Sequence, residues 1–281
     1  MRQLRECTSS QLNTGVSKCQ PDWGKMKGAI LVEPGTKLPA KLTAETLEKL
    51  VHEDRPNRVY GIFEFVEYAK NGGEMQTAAN GYGPEERTGL SARKDTFTMR
   101  KFHPELYANL TKCEKDWDVY FFNDENMLFG LNDGTDILAG IPMCDVYADA
   151  TEFATSSAKP VMTVIFSHAD AKNIARSLDF IKLDFYPGRK IVLGLTEVKL
   201  QKVDDTSSNY KLFEVTGGYD VTSIYGPVIA EAGNAVINDT STAVTYNKDS
   251  RTLTISGTGE ISLKSPKVLY ENDIKGIEQV A

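Results

Sequence analysis

Three histidines (His52, His103, His168) and four cysteines (Cys7, Cys19, Cys113, Cys144) are the side chains of this sequence best suited to nucleophilic or metal chemistry. Zinc sites draw their ligands in close pairs such as CxxC or HxxxH. No two of these residues stand at such a spacing. Ser167-His168-Ala169-Asp170 holds the letters of a catalytic triad. Triad members converge from separate segments, however, and the nucleophile sits on a sharp turn of the GxSxG kind, which is absent. Gly81-Tyr82-Gly83-Pro84 begins like a dinucleotide fingerprint, but Pro84 and Glu85 follow where a helix N-terminus should offer free N–H groups. The acidic turns at 123–126 and 132–136 lack the closing glutamate of a calcium loop. The chain is therefore expected not to be an enzyme and to carry no metal and no cofactor. A carboxylate-pair hydrolase, drawn from 39 acidic residues, is the chemistry left standing.

A net charge of −7 argues against a surface built to hold nucleic acid, which needs clustered Lys and Arg. The basic residues Arg87, Arg93 and Lys94 are diluted by Glu85 and Glu86. No run approaches the roughly 20 apolar residues that cross a bilayer, and the N-terminus lacks a signal peptide's apolar stretch. Widely spaced cysteines read as free thiols.

The elements that would position any site are mostly strands. The 281 residues, 41% of them hydrophobic, can bury a sizeable core. Residues 1–40 read as an arm with one apolar strand, Ala29-Ile30-Leu31-Val32, able to pair with a neighbour's sheet edge or its own. A helix is expected at 43–52, capped by Thr43, and another opens at Pro104. Residues 59–70 (VYGIFEFVEYAK) form a long strand with large apolar groups on both faces, Phe63 and Phe65 on one of them. Further strands are expected at 95–100, 117–122, 141–148, 160–168, 180–186 and 190–200, with a small helix at 170–178. The polar run Asp204–Asn209 reads as a linker. Short alternating strands after it predict a small immunoglobulin-like sandwich over 208–281. The expected fold is mainly β: an arm (1–40), a β-sandwich or barrel body with short flanking helices (41–203), and the C-terminal sandwich.

Asp54-Arg55-Pro56-Asn57-Arg58-Val59-Tyr60, the Gly81-Tyr82-Gly83 loop, and Asp118–Asp124 followed by Met127-Leu128-Phe129-Gly130 resemble tail tube proteins of tailed bacteriophages that infect Bacteroidetes. Ser265–Tyr270 and Lys275–Glu278 look like the end of an immunoglobulin-like module appended to such proteins. The resemblance implies a virion tail protein, made in the host cytoplasm, whose copies close into rings, commonly hexameric, that stack. It implies as partners other copies, other tail proteins, and DNA sliding through the lumen without being held. Ile30, Leu31, Val32, Phe63, Phe65, Tyr82, Gly83, Pro84 and Arg87 are the candidate inter-subunit contacts. The alternative is a decoration protein or another neck or connector ring acting as a binding module.

Overall fold

The computed structural model describes residues 5–6, 18–19, 23–39, 41–112, 116–134, 137–149, 161–170, 177–238 and 241–280. Most of the expected 170–178 helix, Cys7 and Cys113 lie outside them. The fold is mainly β, as the sequence predicts. The chain divides into two compact units. The first holds Met1–Leu47 and Val59–Val192, the second Glu48–Arg58 and Leu193–Ala281.

In the first unit, β1 (Arg5–Glu6) and β2 (Lys18–Cys19) pair with each other. Six strand segments then close a ring: β3 (Met26–Val32), β4–β5 (Val59–Phe63 and Phe65–Gly72), β8 (Arg93–Met99), β9 (Trp117–Asn123), β12 (Ile141–Ala148) and β13 (Met162–His168). β5 pairs with β8, β8 with β13, β13 with β12, β12 with β9, β9 with β3, and β3 returns to β4, every pair antiparallel. β4 and β5 are the single strand expected at 59–70. Glu64, at φ 70°, breaks it so that one half pairs with β3 and the other with β8. A closed barrel removes the sheet edges on which strands from other chains add. Its interior is filled from alternate positions, where Phe65, Phe97, Phe121 and Phe166 stack and meet edge-on. Beside it, β10 (Met127–Asn132) pairs with the end of β9 and carries β11 (Leu138–Ala139) and β14 (Leu178–Lys182).

The apolar run at 190–193 is a turn and not a strand. The Ile191 and Val192 N–H groups both donate to Gly188 O, and Val192 buries its side chain against Gly61, where no Cβ fits. Helix α1 (Ala44–Val51) starts as expected, with Thr43 Oγ1 accepting from the Thr46 N–H at 3.1 Å. Helix α2 (Pro104–Thr111) begins with proline in its first turn and buries Leu110.

The second unit corrects the expected immunoglobulin-like sandwich and its boundary. Its core is one five-stranded sheet, ordered β17 (Ser241–Asn247), β18 (Thr252–Gly257), β16 (Asn209–Glu214), β15 (Thr196–Lys202), β19 (Ile277–Gln279). An immunoglobulin-like module needs two packed sheets. Here the apolar layer is completed by helices, with Ile229 of α3 (Thr222–Ala232) and Leu269 of α4 (Pro266–Glu271) fully buried among Val198, Leu212 and Leu253. Residues 203–208 are a hairpin turn joining β15 to β16, so the polar run is not a domain linker. No helix among the described residues is long and apolar enough to cross a membrane.

Candidate functional site

Two features of the first unit stand out, and both lie at the same end of the barrel. The first is a hairpin. β5 and β8 run past the barrel and continue, through Gly72-Gly73 and Ser91-Ala92, into β6 (Met75–Ala78) and β7 (Glu86–Leu90), which among the described residues pair only with each other. The root is a glycine by necessity: Gly72 sits at φ 71°, and a Cβ there would lie 1.9 Å from Ala92 O. Every residue from Glu74 to Thr88 is exposed, and Tyr82 at the tip, between Gly81 and Gly83, is as open as in an extended chain.

The second is a pocket of about 440 Å³ in the barrel mouth. It is bounded by the start of β3, the first half of β5, the end of β13, the starts of β8 and β12, and β9. Trp23, Met26, Phe97, Phe121 and Ile141 supply apolar wall. One side is polar and centres on Asp95. Alternation along β8 turns Asp95 inward with Phe97 and Met99, and alternation along β13 turns His168 inward with Phe166. Asp95 faces Phe166 across the ladder, so His168 is its diagonal neighbour.

Asp95 is saturated with donors. Tyr68 Oη donates to Oδ1 at 2.8 Å, Arg93 Nε to Oδ1 at 3.2 Å and Nη2 to Oδ2 at 3.0 Å, and His168 Nε2 to Oδ2 at 2.5 Å. Burial alone would push the Asp95 carboxyl up; the His168 and Arg93 donors outweigh it and hold it below its ordinary value. Burial, then the bond to Asp95, pushes the Tyr68 phenol up. An ionised carboxylate only accepts, so His168 donates to it from Nε2, and the other ring nitrogen is Nδ1. That Nδ1 is buried, within a side chain 1% exposed, and has no hydrogen-bond partner among the described residues. The carboxylate orients the imidazole, yet no serine, threonine or cysteine is among the described residues lining the pocket. Ser167 instead meets Cys144, its Oγ 3.4 Å from Sγ, and His168 is paired with Asp95 and not with its sequence neighbour Asp170.

The candidate contact residues divide between core and hairpin. Ile30, Leu31 and Val32 are 0–2% exposed in the middle of the barrel's own sheet, between β4 and β9, and Phe65 is 2% exposed in the aromatic cluster. These four fill their own core and offer no surface to a neighbour. The apolar strand of the expected arm therefore belongs to the body. Phe63 is half-buried, while Tyr82, Gly83, Pro84 and Arg87 are all exposed on the hairpin. The Asp95–His168 pairing escaped the sequence reading, although its signal was present. Asp95 falls on the apolar face of an alternating strand, where a carboxylate needs a buried partner.

No protein-family model matches the chain, and no curated protein matches it. Among solved structures it is similar to a chain of the anti-feeding prophage (AFP) baseplate, determined by cryo-EM with 6-fold symmetrisation. Identity is 6%, the TM-score is 0.28, and the match covers 59% of this chain and 99% of that chain.

Proposed function

We propose that this chain is a structural subunit of a phage tail, non-enzymatic, whose copies associate into rings that stack into a tube. The observation that carries the reading is the β6–β7 hairpin. A two-stranded hairpin is marginal in water by itself, and among the described residues no third strand joins this one. All its described side chains from Glu74 to Thr88 are exposed, which leaves both its faces open to a contact with another chain. The closed barrel supports the same reading, because its ring of strands offers no edge of its own and the hairpin is the element that projects from it. A hairpin on one copy that engages a different surface on the next is a heterologous contact, and such contacts close into rings or continue as filaments. The net charge of −7 suits a conduit through which DNA slides without being held.

Sedimentation across a concentration series tests this. Species at multiples of the 31.1 kDa protomer, lost on replacing 74–90 by a short turn, are expected. Equal association with and without the hairpin would overturn the reading.

A further inference from the structure

We propose that Asn80, at the tip of the projecting hairpin, is a site of spontaneous modification, where the chain converts its own side-chain amide to aspartate and isoaspartate. The inference goes beyond the assembly reading and does not depend on it. The chemistry is local. The backbone nitrogen of the next residue attacks the side-chain carbonyl carbon of the asparagine. The new C–N bond closes a succinimide ring, the bond to Nδ2 breaks, and ammonia leaves with the backbone proton. Water then opens the ring, giving aspartate by attack at the side-chain carbonyl and isoaspartate by attack at the backbone carbonyl. The sum is an amide and a water giving an acid and ammonia. A following glycine favours the step, because it has no side chain to crowd the attacking nitrogen and moves freely between backbone conformations. The sequence has two such pairs, Asn71-Gly72 and Asn80-Gly81.

The fold separates them. Asn71 and Gly72 lie inside the β5–β8 ladder, opposite Lys94 and Arg93, and the Asn71 amide donates to Thr96 Oγ1 at 3.4 Å. Gly72 is further confined by Ala92 O. The ring closes there only after the ladder opens. Asn80 lies outside β6 and β7, is exposed, and is followed by a glycine with open space where a Cβ would stand. Among the described residues the Gly81 N–H makes no hydrogen bond, so the attacking nitrogen is free. Asn80 O accepts from the Gly83 N–H at 2.8 Å, and Asn80 Nδ2 donates to Glu86 Oε1 at 3.3 Å. These residues are exposed, so water competes for both bonds. Conversion replaces the donor facing Glu86 with a carboxylate and sets like charges against each other at the tip.

The test is mass-spectrometric peptide mapping of the full chain after incubation in mildly alkaline buffer, folded and in urea. Cleavage after Glu74 puts the two asparagines on different peptides. In urea both pairs should convert at similar rates. In the folded protein Asn80 should convert at least roughly tenfold faster than Asn71, since only Asn71 waits on ladder opening. Isoelectric focusing should show a more acidic form growing in wild type and none in Asn80→Gln, whose longer side chain closes the ring poorly; circular dichroism checks that this variant folds. An Asn80 that keeps its amide in the folded protein, whether or not urea converts it, overturns the proposal. So does an Asn71 that keeps pace with Asn80 in the folded protein, and so does an acidic form that grows equally in Asn80→Gln.

Discussion

Replacing Asp95 by asparagine preserves the side chain's size and removes its charge, so the cost falls on the donors it satisfies. Four hydrogen bonds end on that carboxylate. Bonds to a charged group contribute about 1.5–3 kcal/mol each when buried. The His168 bond joins side chains 1% and 6% exposed and counts in full. The Arg93 side chain is 24% exposed and Tyr68 about half exposed, so water and salt discount theirs heavily. Taking one full bond and a fraction of the rest, Asp95→Asn should destabilise the first unit by about 3 kcal/mol, within the range for breaking a buried pair. With an m-value of about 2 kcal/mol/M, the urea midpoint falls by about 1.5 M. Trp23 and Trp117, the chain's only tryptophans, both belong to the first unit, so their fluorescence follows it alone. The folded carboxyl is held below its ordinary value of 3.8, so its contribution is present above that pH and is lost as pH falls through it. The gap between wild type and variant is therefore full at neutral pH and narrows below about pH 4. A midpoint shift under about 0.5 M at neutral pH would refute the buried-network account.

Two predictions concern the second unit. His52 Nδ1 donates to Glu48 O at 2.9 Å while Nε2 accepts from the Gly276 N–H at 3.0 Å, and its ring stacks on Tyr270. Burial, with Lys275 and Arg58 nearby, lowers its pKa from 6.5 against the opposing pull of Glu48. Stability should be level above about pH 6.5 and fall below it, by up to roughly 1.4 kcal/mol per unit. Calorimetry should show this step in wild type and not in His52→Gln; an unchanged step would reassign it. Ending the chain at Ser207 should leave β15 with neither β16 nor β19 beside it. Hydrogen exchange should find residues 196–202 unprotected, and retained protection there would contradict the sheet order.

The barrel strands were legible because half-buried strands alternate. The patterns in Asp95–Met99 and Met162–His168 put the correct faces inward, and Pro104 and Thr43 marked helix starts through local chemistry. What escaped depends on contacts distant in sequence. Glu64 sits inside a segment that reads as one continuous strand, and it turns to positive φ where the two halves pair with different strands. The polar run at 204–208 reads the same whether it is a linker or a tight turn. Here Asp204 accepts from the Thr206 and Ser207 N–H groups and closes a hairpin. Helix α3 was hidden by Gly226 and Pro227, which local propensity disfavours and burial of Ile229 overrides. Of the candidate site, the hairpin's Gly81-Tyr82-Gly83 tip was legible as a turn. The pocket was not, because its parts come from separate strands.

The central claim is that copies of this chain associate through the projecting hairpin into rings. Negative-stain electron microscopy of the concentrated full-length protein tests it most directly. The account predicts closed rings or short tubes with a central channel, absent when the hairpin is replaced by a short turn. A field of single 31.1 kDa particles at every concentration would contradict it.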